Sequence, residues 1–295
     1  MNLNLRELEK TDKFGFMFYI AYDGAKFHSF DEMSGKTTVK SKFKEVMNSI
    51  GFTWAKGIQQ GGRTDAKVSA NENILYVSSK YIGDLDSLKK EFNAKSEFLK
   101  VKKIVKTLPN LAFPDMVDKR EYLYSYPQKK ILNSEEEIIR LCREKSGTYD
   151  VSEFTDKKGL ELKNHIRTVE ITYENGKLRF LGDSFMPKQV RIMSSFILTN
   201  SLEPLPGKYL ILEKIYLKDE LNNMLIHSNK IDNSLLNEIK EFSSFNFSEV
   251  KTEKIGDEIT IFYIPKEIKS EFIGKNGNNI KKLKKVIGNI LVREI

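Results

Sequence analysis

Gln59-Gln60-Gly61-Gly62-Arg63-Thr64-Asp65-Ala66-Lys67-Val68-Ser69-Ala70-Asn71 is the stretch on which the fold turns. Two glycines give the backbone access to tight, positive-φ conformations, and Arg63 and Asp65 then stand two residues apart around a small hydroxyl side chain. Both charge signs sit on one short loop. From these residues alone two readings stay open: a surface turn closed by an Asx hydrogen bond from Asp65, or a reactive carboxylate on a loop held by its flanking strands.

Outward from the loop, hydrophobic periodicity predicts a strand over 14–22, a helix over 37–50 with Val39, Phe43, Val46, Met47 and Ile50 on one face, and a strand over 52–58. A strand over 72–79, a helix over 84–95 and a strand over 101–107 complete the order βαββαβ. Two prolines between Leu108 and Lys119 break the pattern. It then repeats: strand 120–126, helix 134–145, strands 165–174 and 177–184, helix 187–199, strand 208–217, with Asn175-Gly176 as a two-residue hairpin signal. A boundary falls near Lys218, and 219–230 reads as a short helical linker. Beyond it come a helix over 232–243, strands 247–254 and 258–264, helices 266–273 and 278–286 around Gly274-Lys275-Asn276-Gly277, and a strand over 289–294, in the order αββααβ. The expected division is 1–110, 111–218, a linker over 219–231, and 232–295.

The 295 residues, 40% of them apolar, suffice for two or three domains. Lys and Arg outnumber Asp and Glu by 49 to 41, which suits a polyanionic partner such as RNA or an acidic membrane surface. No stretch approaches the roughly 18 apolar residues of a membrane span, and the charged start does not resemble a cleavable leader. The expectation is a cytoplasmic protein. A single cysteine, Cys142, excludes an internal disulfide, and His28, His165 and His227 lack metal-ligand spacing, so no metal is expected.

Four stretches in order carry a family resemblance. Gly62-Arg63-Thr64-Asp65-Ala66, followed by Val68 and Ala70, resembles the catalytic loop of the TruA family of tRNA pseudouridine synthases. Tyr22-Asp23-Gly24 with Phe27, then Thr38-Val39, resembles the family's first strand and turn. Arg120-Glu121-Tyr122-Leu123-Tyr124 is similar to its Arg-x-Tyr-x-Tyr strand, and Phe185 with Val190-Arg191 to its Phe-x-x-x-x-Val-Arg helix. The resemblance implies an α+β fold of two ferredoxin-like βαββαβ halves, a homodimer, a tRNA partner, and isomerisation of anticodon stem-loop uridines without a cofactor. It implies Asp65 as the essential carboxylate, Arg191 as its buried partner, Tyr122 as the residue against the target base, and Arg63 as the side chain that enters the RNA as the nucleotide leaves. Arginine opposite a carboxylate favours the ionised form. Tyr124, on the same strand face as Tyr122, reads as structural.

At the other end, Ile273-Gly274-Lys275-Asn276-Gly277-Asn278-Asn279-Ile280-Lys281-Lys282-Leu283 resembles the Ile-Gly-x-x-Gly core of a type II KH domain, with the matching αββααβ order. Two glycines around two polar residues let an RNA backbone approach helix N-termini. Residues 265–295 carry eight Lys or Arg against three Glu. Gly274, Lys275, Asn276, Gly277, Lys281 and Lys282 are the expected RNA contacts there. A P-loop is excluded by its missing spacer and Gly-Lys-Ser/Thr.

Three departures from the family qualify this reading. Lys67 stands where the family has glycine, so that position must accommodate a Cβ; Lys67 is also a candidate phosphate contact. Ser69 replaces the family's histidine. The stretch from Asn200 to Gly207 is shorter than the usual helical insertion, and a KH-like tail lies outside the usual plan. Two further functions therefore stay open: a non-catalytic RNA-binding protein or RNA chaperone that keeps the synthase fold, and a synthase for a different RNA site.

Overall fold

Phe14–Tyr22 (β1) carries almost no polar side chain until Tyr19, and such a run is stable as a strand only where both faces are covered. It is the inner strand of the first half, antiparallel to β3 (Ser69–Ser79) on one side and to β4 (Leu99–Thr107) on the other. The computed structural model describes residues 8–232 and 250–295, with Ser234, Leu236, Phe242, Asn246 and Phe247 between them. β2 (Ala55–Gln60) pairs with the far edge of β3. Two helices cover the same core. α1 (Val39–Ser49) buries Val39, Phe43, Val46 and Met47 and begins in a reciprocal cap between Thr38 and Ser41. α2 (Leu85–Lys95) buries Leu88 and Phe92, and the Asp84 side chain accepts from the Ser87 amide.

The second half repeats the plan with β5 (Val117–Tyr124), α3 (Glu135–Glu144), β6 (Gly147–Asp150), the single-turn α4 (Lys157–Leu160), β7 (Ile166–Glu174), β8 (Lys177–Gly182), α5 (Gln189–Thr199) and β9 (Leu210–Leu217). The strand orders are β4-β1-β3-β2 and β9-β5-β8-β7, with β6 added outside β7. β6 escapes the periodicity reading because four residues, Gly-Thr-Tyr-Asp, carry no apolar alternation.

The halves meet where β3 and β9 pair in parallel, through only Ser69 with Ile211 and Ala70 with Leu212. Farther along the same edge β3 pairs instead with β2, from Leu75 to Ser78. The loop from Gly61 to Val68 leaves the sheet at this change of partner. Irregularities in strand register flank it, between Ile20 and Tyr22 on β1 and between Glu121 and Tyr122 on β5. Such bulges sharpen local twist and re-aim side chains.

The stretch 219–230, expected as a helical linker, is a 3-10 turn only from Asp219 to Met224. Leu225–Asn229 is instead strand β10, which pairs with β4 and with β11 (Thr252–Ile255). It makes the sheet continuous. β12 (Ile259–Ile264) follows, with β13 (Asn289–Glu294) parallel to it, so that thirteen strands form one mixed sheet. α6 (Lys266–Ile273) and α7 (Asn278–Ile287) connect those two strands. Alternation on β12 and β13 splits their side chains: Phe262, Ile264 and Ile290 pack with Phe272 and Leu283 of the helices, whereas Ile259, Ile261, Tyr263 and Leu291 join the main core. Most of the helix expected over 232–243 lies outside the described residues, although the Phe242 and Phe247 rings meet Phe272.

Across the seam, Lys106 of β4 is buried with Glu253 of β11 and Tyr263 of β12. The Lys106 ammonium donates to Glu253 Oε2 at 2.5 Å and to the Tyr263 hydroxyl at 2.7 Å, and the Tyr263 hydroxyl donates to the same carboxylate. The ammonium also lies 3.7 Å from the Phe14 ring centre.

Candidate active-site cleft

The Gly61–Val68 loop is held at its base by an amide. Asn73, fully buried on β3 just ahead of its apolar run, accepts from the Gly62 N–H at 3.1 Å and donates to the Gly62 carbonyl at 2.8 Å. Its carbonyl oxygen also accepts from the Ile74 amide at 2.8 Å. The Tyr22 hydroxyl bonds Thr64 Oγ1 at 2.8 Å, and burial pushes the pKa of that phenol well above the usual tyrosine range. Gly62 and Thr64, both ahead of Asp65 in the motif, are thus anchored from the strands beneath. A polar residue directly before the run Ile74-Leu75-Tyr76-Val77 was the available sequence signal for Asn73.

Past Asp65 the chain turns sharply. The Val68 amide reaches the Asp65 carbonyl at 3.2 Å, and Lys67 takes φ +64° at the turn. That conformation is the natural place of a glycine, and a Cβ there costs about 1–2 kcal/mol. Lys67→Gly is therefore expected to stabilise the protein by roughly 0.5–1 kcal/mol, the gain reduced by the greater freedom of glycine in the unfolded chain. A rise in the urea midpoint at unchanged slope is the measurement. Gly24 shows the opposite constraint: a Cβ would fall 2.2 Å from the Val68 carbonyl oxygen. This close approach explains the glycine after Tyr22-Asp23.

The opposite wall comes from the second half. Arg191, third residue of α5, places Nη1 3.1 Å from Asp65 Oδ2 and donates from Nε to the Leu205 carbonyl at 2.6 Å. The Arg191 side chain is 16% exposed and that of Asp65 34%, so the arginine is the deeper partner and the carboxylate still opens to the cleft. The short 200–207 stretch supplies Leu205, a second anchor that sequence reading did not identify.

Tyr122 is buried on β5, its ring edge-on to Phe185 with centres 5.3 Å apart. Burial pushes its hydroxyl up to about 12, partly offset by the Arg120 charge and reinforced by Asp65. It is a neutral phenol at physiological pH. Tyr124 is fully buried and donates to the Pro206 carbonyl at 3.0 Å. Arg63 stands at the rim with 72% of its side chain exposed, 4.0 Å from Asp31. Asp65, Arg191, Tyr122 and Arg63 all line one cleft of about 830 Å³. Arg120, Lys158, Arg167 and Lys188 line it too, giving six cations against Asp31 and Asp65. Lys67 does not line it.

Gly274, Lys275, Asn276 and Gly277 lie together between α6 and α7, with positive φ at Gly274, Asn276 and Gly277. Lys275, Lys281 and Lys282 are exposed. Among the described residues no group of three His, Cys, Asp or Glu is placed to hold a metal ion. No helix there is long and apolar enough to cross a membrane.

No family model matches the chain. Its sequence is similar to the tRNA pseudouridine synthase A of Picrophilus torridus, 27% identical over 214 residues that cover 69% of this chain and 76% of that protein. The protein of the same name from Limosilactobacillus reuteri is 27% identical over 202 residues, covering 60% and 78%. That from Streptococcus uberis is 26% identical over 222 residues, covering 66% and 87%. Among solved structures, a Cbf5-Nop10-Gar1 complex aligns with 14% identity and a TM-score of 0.35, over 69% of this chain and 51% of that one, a likeness too slight to inform the fold. In sequence, then, the chain is similar to curated proteins named tRNA pseudouridine synthase A over 60 to 69% of its length.

Proposed function

We propose that this chain is a tRNA pseudouridine synthase, an isomerase that turns uridine into pseudouridine in the anticodon stem-loop, and that Asp65, Tyr122 and Arg191 form its active site. The observation that carries the reading is the Asp65–Arg191 ion pair, which joins the two halves in a cleft that Tyr122 also lines. The relatives' shared name gives the same reaction.

The reaction breaks the C1'–N1 bond, turns the freed base, joins C5 to C1' and removes the C5 proton. The proton lost from C5 is balanced by one taken up at N1, so the product is an isomer of the substrate and no cofactor is consumed. Arg63, exposed at the rim, takes the place of the nucleotide drawn out of the RNA; extrusion costs a few kcal/mol that such a contact offsets. Arg191 holds the Asp65 carboxylate toward the nucleotide. Tyr122, neutral at working pH, packs on the base and offers a hydroxyl near the proton to be moved.

In this reading the two βαββαβ halves form the catalytic core of a cytoplasmic homodimer, and the C-terminal unit is a KH-like module whose Gly274–Gly277 loop, with Lys281 and Lys282, grips the RNA backbone; Lys67 is a further phosphate contact. A Cβ on Gly277 meets nothing within 4 Å, and φ there is +71°. Gly277→Asp is accordingly expected to cost only about 1 kcal/mol of stability while weakening tRNA binding about tenfold through charge and obstruction. Filter binding beside a melting curve checks both.

Incubation with an unmodified tRNA transcript carrying C5-tritiated uridine tests the function. Tritium release establishes the isomerase. Failure to release it from several transcripts that the protein nevertheless binds would establish the non-catalytic reading, for which Ser69 and the turn at Lys67 are the motivation.

A further inference from the structure

Heterolysis of a C1'–N1 bond leaves its electron pair on the base, so a uracil detached in this cleft is an anion, its charge shared between N1 and the two carbonyl oxygens. Water is largely excluded from such a site, and stabilisation must come from a cation already in place. Two of the other cations of the cleft are paired with carboxylates inside it or beside it. Arg191 is bonded to Asp65 and Leu205, and the Lys188 ammonium lies 3.1 Å from Asp156. Arg167, like Arg120, donates to two backbone carbonyls, those of Asn164 and Ile166 in its own segment, while Lys158 is exposed and Arg63 is out at the rim.

Arg120 is different. It sits on β5 two residues before Tyr122, hence on the same strand face, and both line the cleft. Its Nε donates to the Gly61 carbonyl at 2.9 Å, at the root of the Asp65 loop, and its Nη1 donates to the Asp183 carbonyl. The Asp183 carboxylate is turned toward the Thr168 and Ser184 amides. Arg120 makes no ion pair with any described residue. A guanidinium has five N–H donors; two are committed, so three remain. Two backbone carbonyls fix the plane without neutralising the charge, and burial of that charge lowers the guanidinium's own proton affinity.

We propose that Arg120 is a further catalytic residue, whose free guanidinium donors bind and stabilise the uracil anion released when the C1'–N1 bond breaks. This rests on the isomerase reading of the same cleft. The electron pair of the broken bond stays on the base, held against Arg120 while the ring turns, and returns as the C5–C1' bond forms; the C5 proton then leaves to solvent and N1 takes one up.

The same chemistry also fits an RNA phosphate, and the test separates the two. Arg120→Gln is compared with wild type in single turnover on a tRNA transcript made with uridine and on one made with 5-fluorouridine. Rates are read as loss of the parent nucleoside after digestion. Fluorine withdraws charge and stabilises the base anion by itself. The expected result is a loss of about 100-fold or more on the uridine transcript, at unchanged tRNA affinity. On the fluorinated transcript the loss should be at least tenfold smaller. Equal losses on both would overturn the proposal and leave Arg120 only a support for the loop at Gly61. A loss confined to affinity, with a shallower salt dependence, would assign the donors to a phosphate instead. Should the Gln variant fail to fold, Arg120→Lys serves, and absence of narrowing on the fluorinated transcript again overturns the role. Inactive wild type on both transcripts would remove the isomerase reading itself; active wild type with an unimpaired Arg120→Gln removes only this residue's part.

Discussion

Asp65→Asn is expected to lower isomerisation by about 10⁴-fold or more while tRNA affinity stays within about threefold of wild type. The amide keeps the size of the side chain and one oxygen toward Arg191, so the 3.1 Å contact survives as a hydrogen bond from the charged guanidinium to a neutral oxygen. What disappears is the negative charge facing the nucleotide. Stability should change little, because the Asp65 side chain is 34% exposed and a half-solvated pair is screened. The same exposure revises what the motif suggests for Arg191, since a carboxylate left behind by Arg191→Met would be rehydrated rather than stranded in the core. Single-turnover tritium release beside filter binding is the measurement. Appreciable turnover by the Asn variant would remove Asp65 as the essential carboxylate.

The largest effect on stability is expected at the opposite side of the sheet. Glu253→Ala strands the Lys106 ammonium in a site where its side chain is 7% exposed, and loss of one partner from such a pair costs about 3–5 kcal/mol. Replacing both residues by Met should recover most of that loss, because the desolvation of both charges is removed together. Burial already depresses Lys106 to about 8, against the usual lysine value, despite the raising effect of Glu253. Without the carboxylate it falls further. A lysine whose folded value is depressed binds fewer protons folded than unfolded, so stability rises with pH between the two values. The excess deficit of Glu253→Ala should therefore shrink as pH is raised toward 8. Urea midpoints across that range, for the single and double variants, check the sign; a deficit independent of pH would mean that Lys106 does not titrate there.

The sequence was most informative where local chemistry and tertiary context agree. α1 falls within two residues of the periodicity reading and β1 coincides with it, as do α6 and β13, because Pro265, Gly274 and Gly288 punctuate those last segments. β6 and β10 were not legible. Both are short strands whose extended form is imposed by a neighbour's free edge rather than by their own side chains. Local motif chemistry by itself determined which residues carry charge and conformational freedom: Asp65 and Arg63 on a glycine-rooted loop, Arg120 and Tyr122 on one strand face, and two glycines between α6 and α7. It also set the requirement that position 67 accept a side chain where the turn favours glycine.

Tertiary structure decided what those charges meet. Asp65 and Arg191 are 126 positions apart, and the brief parallel pairing of β3 with β9, with contacts such as Arg120 to Gly61, brings their halves together. Asn73 became a clamp, Leu205 an anchor and Arg120 a cation without a carboxylate because of backbone groups delivered from distant segments. Lys106 and Glu253 lie 147 positions apart and are ordinary surface residues by type. They are buried because β10 extends the sheet and closes its far side over them. A chain's pattern specifies which faces must be covered, whereas the identity of the covering group depends on how the strands are ordered.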